Sequence, residues 1–253
     1  MNKLLSLLLV SVPCFVACAG QTYRVDVGPL FAHATGDLAL QNANGTLQLG
    51  QNQNDIDDNL GLGATEPSPY VRVQMDKERH RVRLHGFGLM GDGNGTLAGD
   101  YGGIVAGAQV STSMELFAIA ANYGYQIARG ENYRIAIGGQ AGFYSLDVAA
   151  RSAVGREEVT TSVVVPMPFA EIEGLFGSVT IGANGAVMSA DLGDASGRYL
   201  DLEGYVRWQA TKEFDFMAGY RYLVLDGYGT ASSRDFDADV DIQGVFVTAG
   251  IKF

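Results

Sequence analysis

The chain has 253 residues but only two cysteines, Cys14 and Cys18, both in its first twenty positions. A mature chain starting at Gly20 would hold none, which excludes a disulfide framework and a thiol nucleophile. Beyond the N-terminus no apolar run approaches the roughly 18 residues of a membrane-crossing helix. Positive charge is also scarce: 17 Lys and Arg face 28 Asp and Glu, a net charge of −11. This balance argues against general attraction to nucleic acid or to anionic lipid. Histidine occurs three times, at 33, 80 and 85, leaving little material for acid–base chemistry. No cofactor motif and no specified metal site is found. What the chain has is 34 glycines and 12 tyrosines, which suit strands and turns.

The N-terminus "MNKLLSLLLVSVPCFVACAG" reads as an export signal. Lys3 forms a positive n-region, Leu4 to Val12 a short apolar core, and Ala17-Cys18-Ala19 a cleavage site. Residues 1–19 are therefore expected to be a signal peptide and 20–253 a single domain without a linker. A lipoprotein reading, with Cys18 acylated, competes with it; Phe15 suits that signal poorly.

From Tyr23 onward, alternating apolar and polar segments recur between turn-rich stretches. They fall at 23–33, 70–76, 81–90, 113–128, 132–148, 160–175, 178–188, 199–210, 214–226 and 241–253. That makes about ten strands, with Pro166 and Pro168 marking an irregularity in the sixth. The connections alternate. Long ones are expected at 34–69, 91–112, 149–159, 189–198 and 227–240, and short turns between the other pairs. This rhythm and an even strand count fit an antiparallel up-and-down transmembrane barrel with short periplasmic turns.

One face of each strand is apolar and aromatic; the other carries charge in mid-strand. The polar face holds Arg24, Arg72, Arg81, Arg83, Arg134, Arg207 and Arg221 against Asp26, Asp76, Glu171, Glu173, Asp201, Glu203 and Asp215, with His85 among them. In hydrocarbon a charge at mid-depth costs about 2–4 kcal/mol, so these residues are expected to line the lumen and the apolar set to meet lipid. A soluble sandwich with its polar face in water is the competing architecture. Tyr23, Tyr125, Tyr133, Trp208 and Phe214 fall where a periplasmic aromatic girdle belongs.

The terminal "FVTAGIKF" carries apolar residues at every second position back from Phe253. It resembles the C-terminal assembly signal of bacterial outer-membrane proteins. "NDIDDNLGLG" with "SPYVRVQMDKERHRVRL", and "FMAGYRYLVLDG" with "DADVDIQGVFVTAGIKF", are similar to stretches of an uncharacterised, porin-like type of such barrels. The resemblance implies location in the outer membrane, insertion by the barrel assembly machinery, and lipid and lipopolysaccharide as neighbours. It brings no activity.

Enzymes exist on small barrels, omptin proteases among them, so a rim-active hydrolase using His33 with Asp37 or Asp226 is one reading. Acidic stretches offer another. Asp235, Asp237, Asp239 and Asp241 alternate in "DFDADVD", and Asp55, Asp57 and Asp58 lie in the first loop. Their oxygens suit divalent cations bridging to lipopolysaccharide phosphate, or binding to a surface partner. The leading expectation is a non-enzymatic barrel, either envelope structure or a small channel with a charge-paired lumen.

Overall fold

The computed structural model describes residues 20–42, 45, 48–191, 196–231 and 234–253. The expected signal peptide, with Cys14 and Cys18, lies outside the described residues. Eleven strands follow one another: β1 Gln21–Leu40, β2 Gln53–Asp55, β3 Glu66–Lys77, β4 His80–Thr96, β5 Gln109–Arg129, β6 Tyr133–Arg151, β7 Arg156–Phe176, β8 Val179–Asp191, β9 Ser196–Gln209, β10 Phe214–Ala231 and β11 Arg234–Lys252. A single helical turn, Leu49–Asn52, precedes the three-residue β2. All ladders are antiparallel between sequence neighbours, except that β1 pairs with β3 and, at the other edge, with β11. The ten long strands thus close into an up-and-down barrel, and β2 is an inner appendage of β1.

Closure is completed at the two ends of the described residues. Tyr23 N–H donates to the Phe253 carbonyl at 2.8 Å, and Phe253 N–H to the Tyr23 carbonyl at 3.0 Å. Their rings stack with centroids 6.0 Å apart. The alternation that ends on Phe253 is thus the last rung of the β1–β11 seam.

The outer wall is apolar. Val27, Phe117, Ile137, Ile172, Val206 and Val247 are all about half exposed and form one continuous belt. A belt of that extent is incompatible with water and is what hydrocarbon demands of a spanning barrel. Trp208, stacked on Phe216 at 6.0 Å, stands with Tyr125, Tyr133, Phe176 and Phe214 at the lower rim. Phe31, Phe143 and Phe117 mark the upper boundary, the last two with ring centroids 6.4 Å apart. No described helix is long and apolar enough to cross a membrane; the strands make the crossing.

One expectation needs correction. Strands of 19 to 21 residues, such as β5, β6 and β7, far exceed the 9–11 needed to span. Much of the sequence assigned to long external loops is therefore strand that continues above the membrane. The connection expected at 149–159 shrinks to a hairpin at 152–155. The outer ends still alternate, but with polar residues facing water, so the apolar signal stops before the strand does. The interior holds a feature the sequence did not predict. Charges fill only its lower and middle parts, and the upper part is an apolar core.

Candidate functional site

The barrel interior is the candidate site, and it is layered. The inward positions of each strand run from charged to apolar as the strand rises. In β1, Asp26 is followed by Leu30, Ala32 and Ala34; in β10, Arg221 is followed by Leu223 and Leu225. All seven arginines and seven acids of the polar face take part in ion pairs there.

Several of these pairs join strands that are not neighbours, so they tie opposite walls together. Arg72 of β3 meets Glu203 of β9. The same guanidinium donates to the Tyr70 hydroxyl at 2.6 Å, and Tyr70 donates to the other Glu203 oxygen at 2.8 Å. Arg72 also lies 5.4 Å from the Tyr205 ring centroid and 6.0 Å from that of Phe246. Arg81 and Arg83 of β4 reach Glu171 and Glu173 of β7; Arg81 Nη1 lies 2.9 Å from Glu171 and 2.8 Å from Glu173. Arg81 Nε also holds Asp76 at 2.6 Å. The Tyr205 hydroxyl donates to Glu173 at 2.7 Å.

A second group centres on Asp201. Arg221 donates to it at 2.7 Å and Gln140 at 2.9 Å. Arg221 also donates to His85 Nε2 at 2.8 Å, which makes that ring nitrogen an acceptor. Lower down, Arg207 of β9 pairs with Asp26 of β1 at 3.0 Å, and Arg24 pairs with Asp215 of β10 at 2.8 Å. Arg24, Asp76 and Arg134 are partly exposed and border a polar vestibule of about 640 Å3 that opens at the lower mouth.

Above the ion layer the interior is closed by packing. Leu30, Tyr70, Phe87, Leu89, Met114, Leu116, Val240 and Ile242 fill it from the wall. The first external connection folds inward and adds Ile56, Leu60 and Leu62, while the second adds Leu97, Tyr101 and Ile104. The Thr112 hydroxyl donates to the Leu60 carbonyl, and Asn54 Oδ1 accepts from the Ala98 and Gly99 N–H groups. The segment lies so close to β4 that a Cβ on Gly95 would sit 1.9 Å from the Asn59 carbonyl oxygen, and one on Gly93 would sit 2.2 Å from that of Gly61. Burial among these apolar groups pushes the Tyr101 phenol well above its ordinary pKa. This plug was missed by the sequence reading. Its signal was the turn of the inward positions from charged to apolar along the upper strands, as in Leu223 and Leu225 after Arg221.

The other sequence candidates lie outside the interior. His33 is on the outer wall, where Gln243 Nε2 donates to its Nε2 at 3.1 Å; its hydrogen-bond partner is thus Gln243 rather than Asp37 or Asp226. His80 accepts or donates at the lower rim with Tyr123 at 2.8 Å. Asp237, Asp239 and Asp241 project outward from β11, and Asp239 stands in register with both Asp37 and Asp226. Desolvation and the neighbouring carboxylates raise the Asp237 and Asp239 pKa values. Among the described residues no group of three or more His, Cys, Asp or Glu is arranged to hold a metal ion.

Among solved structures, the chain is similar to the outer membrane protease OmpT from Escherichia coli, with a TM-score of 0.56 at 9% identity, covering 93% of this chain and 97% of that one. Looser matches include Neisserial surface protein A, TM-score 0.34 at 12% identity over 93% and 98% of the two chains. The Pseudomonas putida toluene transporter TodX gives 0.35 at 8% identity over 93% and 90%. No protein-family model matches the chain, and no curated protein matches its sequence. The likeness to OmpT is one of fold: an antiparallel barrel of the outer-membrane kind.

Proposed function

We propose that the protein is a non-enzymatic barrel of the bacterial outer membrane that serves as envelope structure and does not conduct along its axis. One observation carries this reading: the interior is sealed twice, by the cross-wall ion pairs and by the apolar plug above them. Small barrels fill their interior with side chains, while much wider ones leave water channels. An ion crossing here would have to displace paired charges and then traverse a hydrocarbon-like core, both at high cost.

The inner histidine supports the non-enzymatic part. His85 is held between Arg221 and Asp201 beneath the plug, out of reach of an external substrate. His33 lies on the outer wall, so a His33→Ala variant is expected to leave any lipid or peptide hydrolysis unchanged. The conductance reading is tested by refolding the protein into a planar bilayer. Silent recordings are expected across a range of voltages; discrete current steps from the unaltered protein would sink it.

A further inference from the structure

The wall itself is not closed along its whole height. The β7–β8 ladder runs from Phe176↔Val179 to Phe169↔Ala186 and stops, although β7 continues to Arg156 and β8 to Asp191. The ladders on either side run on, to Arg151↔Arg156 and to Asp191↔Ser196. The next residues of β7 explain the break. A ladder continued in register would set Pro168 opposite Val187 and Pro166 opposite Ser189. Proline has no N–H to give and is confined to strand edges. An unpaired donor in hydrocarbon costs several kcal/mol, and the two prolines remove donors from the stretch where β7 parts from β8. A comparable early end between β3 and β4, above Tyr70↔Phe87, is covered by the inward-folded 55–62 segment. Among the described residues nothing covers the β7–β8 break in this way.

The gap opens into a groove of about 500 Å3, bordered by Val163 and Pro166 on one side and Met188 on the other, with Tyr199 and Phe236 behind. Its inner end reaches a small apolar chamber against Tyr144, whose ring stacks on Tyr199 with centroids 6.2 Å apart. Val163 shows the consequence. It shares the inward parity of the buried Val165 and Met167, yet is 36% exposed. No charged side chain lines the groove among the described residues.

We propose that this gap is a lateral portal that admits one acyl chain of an outer-leaflet lipid into the groove and the chamber against Tyr144. The groove is continuous with the lipid-facing belt, because Val164 and Pro166 at its lip belong to that belt. Val164 stands opposite Phe143, at the upper aromatic boundary, which sets the mouth at the depth of the outer-leaflet chains. The lining is mostly apolar, with hydroxyls from Thr161, Ser162, Ser196 and Thr230 but no charge, so it fits a hydrocarbon chain and rejects ionic ligands. Its volume lies within the roughly 300–1,000 Å3 of ligand sites. The barrel would then be closed along its axis and open to the side.

The test uses the mature chain refolded into phosphatidylcholine vesicles that contain a phosphatidylcholine with a diazirine at the end of one acyl chain. After irradiation, lipid adducts are expected on Val163, Tyr199 and Phe236 as well as on the lipid-facing Phe143. The interior residues Leu30 and Val240 serve as unlabelled controls. Residues 20–253 contain no cysteine, so a Val165→Cys/Ala190→Cys pair can bridge the gap cleanly. Oxidation should reduce adducts on Tyr199 and Phe236 to the level of the controls, leave Phe143 unchanged, and be reversed by reduction. A Pro166→Val/Pro168→Val variant, which restores donors to the edge, should lose the inner adducts without any cross-link. The proposal is overturned if unaltered protein labels Tyr199 and Phe236 no more than Leu30 and Val240. It is equally overturned if bridging leaves that labelling intact, or if the exposed edges are captured by a second copy of the chain instead of lipid.

Discussion

Arg72 has no water to fall back on: it is fully buried and held by Glu203 and Tyr70. Removing one member of a buried pair strands the other and costs about 3–5 kcal/mol, whereas removing both is often close to neutral. Arg72→Met should therefore destabilise the barrel by about that much, and Arg72→Met/Glu203→Gln should recover most of the loss, as read from urea-dependent unfolding in detergent. Asp237 and Asp239, on β11 above the membrane, behave oppositely to a paired carboxylate. Their folded pKa values are raised by desolvation and neighbouring acids, so the native state holds their protons more tightly than the unfolded chain does. They weaken the fold at neutral pH, and the penalty fades as pH falls through their folded values towards about 3.9, the unfolded reference. Asp237→Asn/Asp239→Asn should raise the unfolding temperature at pH 7 and have little effect near pH 4. At this scale much was legible in the sequence. Period-2 alternation and the cost of charge in hydrocarbon named the arginines and acids that meet in the interior. Their pairing across the barrel was not legible, because a link such as Arg207 to Asp26 depends on curvature and stagger that no single strand encodes.

At the level of elements, the segment from Gln53 to Leu62 decides whether the top of the barrel is shut. It is seated by Ile56, Leu60 and Leu62 and by the bare backbone at Gly93 and Gly95. Gly95→Val would thrust a side chain into the Asn59 carbonyl, so the segment should lift and become cleavable by external protease while the strands remain protected. Limited proteolysis of intact vesicles followed by mass spectrometry reads this directly. The inner appendage was hidden in the sequence because it looked like an acidic, solvated loop: Asp55 precedes the apolar anchors that bury it, and Asp57 and Asp58 lie between them. The strand tops were read as loops for a related reason. Alternation of apolar and polar residues reports lipid against lumen, and above the membrane both sides of a strand change environment. Pro166 and Pro168 did stand out, but their effect was legible only as an irregularity until the register of β7 against β8 was known.

For the molecule as a whole, the fold class was the most legible feature, because ten repeats of one pattern with alternating connections leave few architectures. The meeting of Tyr23 with Phe253 carries a separate consequence. With both ends of the described chain hydrogen-bonded to each other, the seam is structurally a rung like any other. A circular permutant that links residue 253 to residue 21 through a short flexible bridge, with new termini at the 152–155 hairpin, should refold in detergent to the same heat-resistant band on gels. In living cells it should fail to reach the outer membrane, since the aromatic tail resembling an assembly signal would no longer be a tail. Endurance of the finished ring and delivery of the nascent chain would then be two separable properties of one phenylalanine.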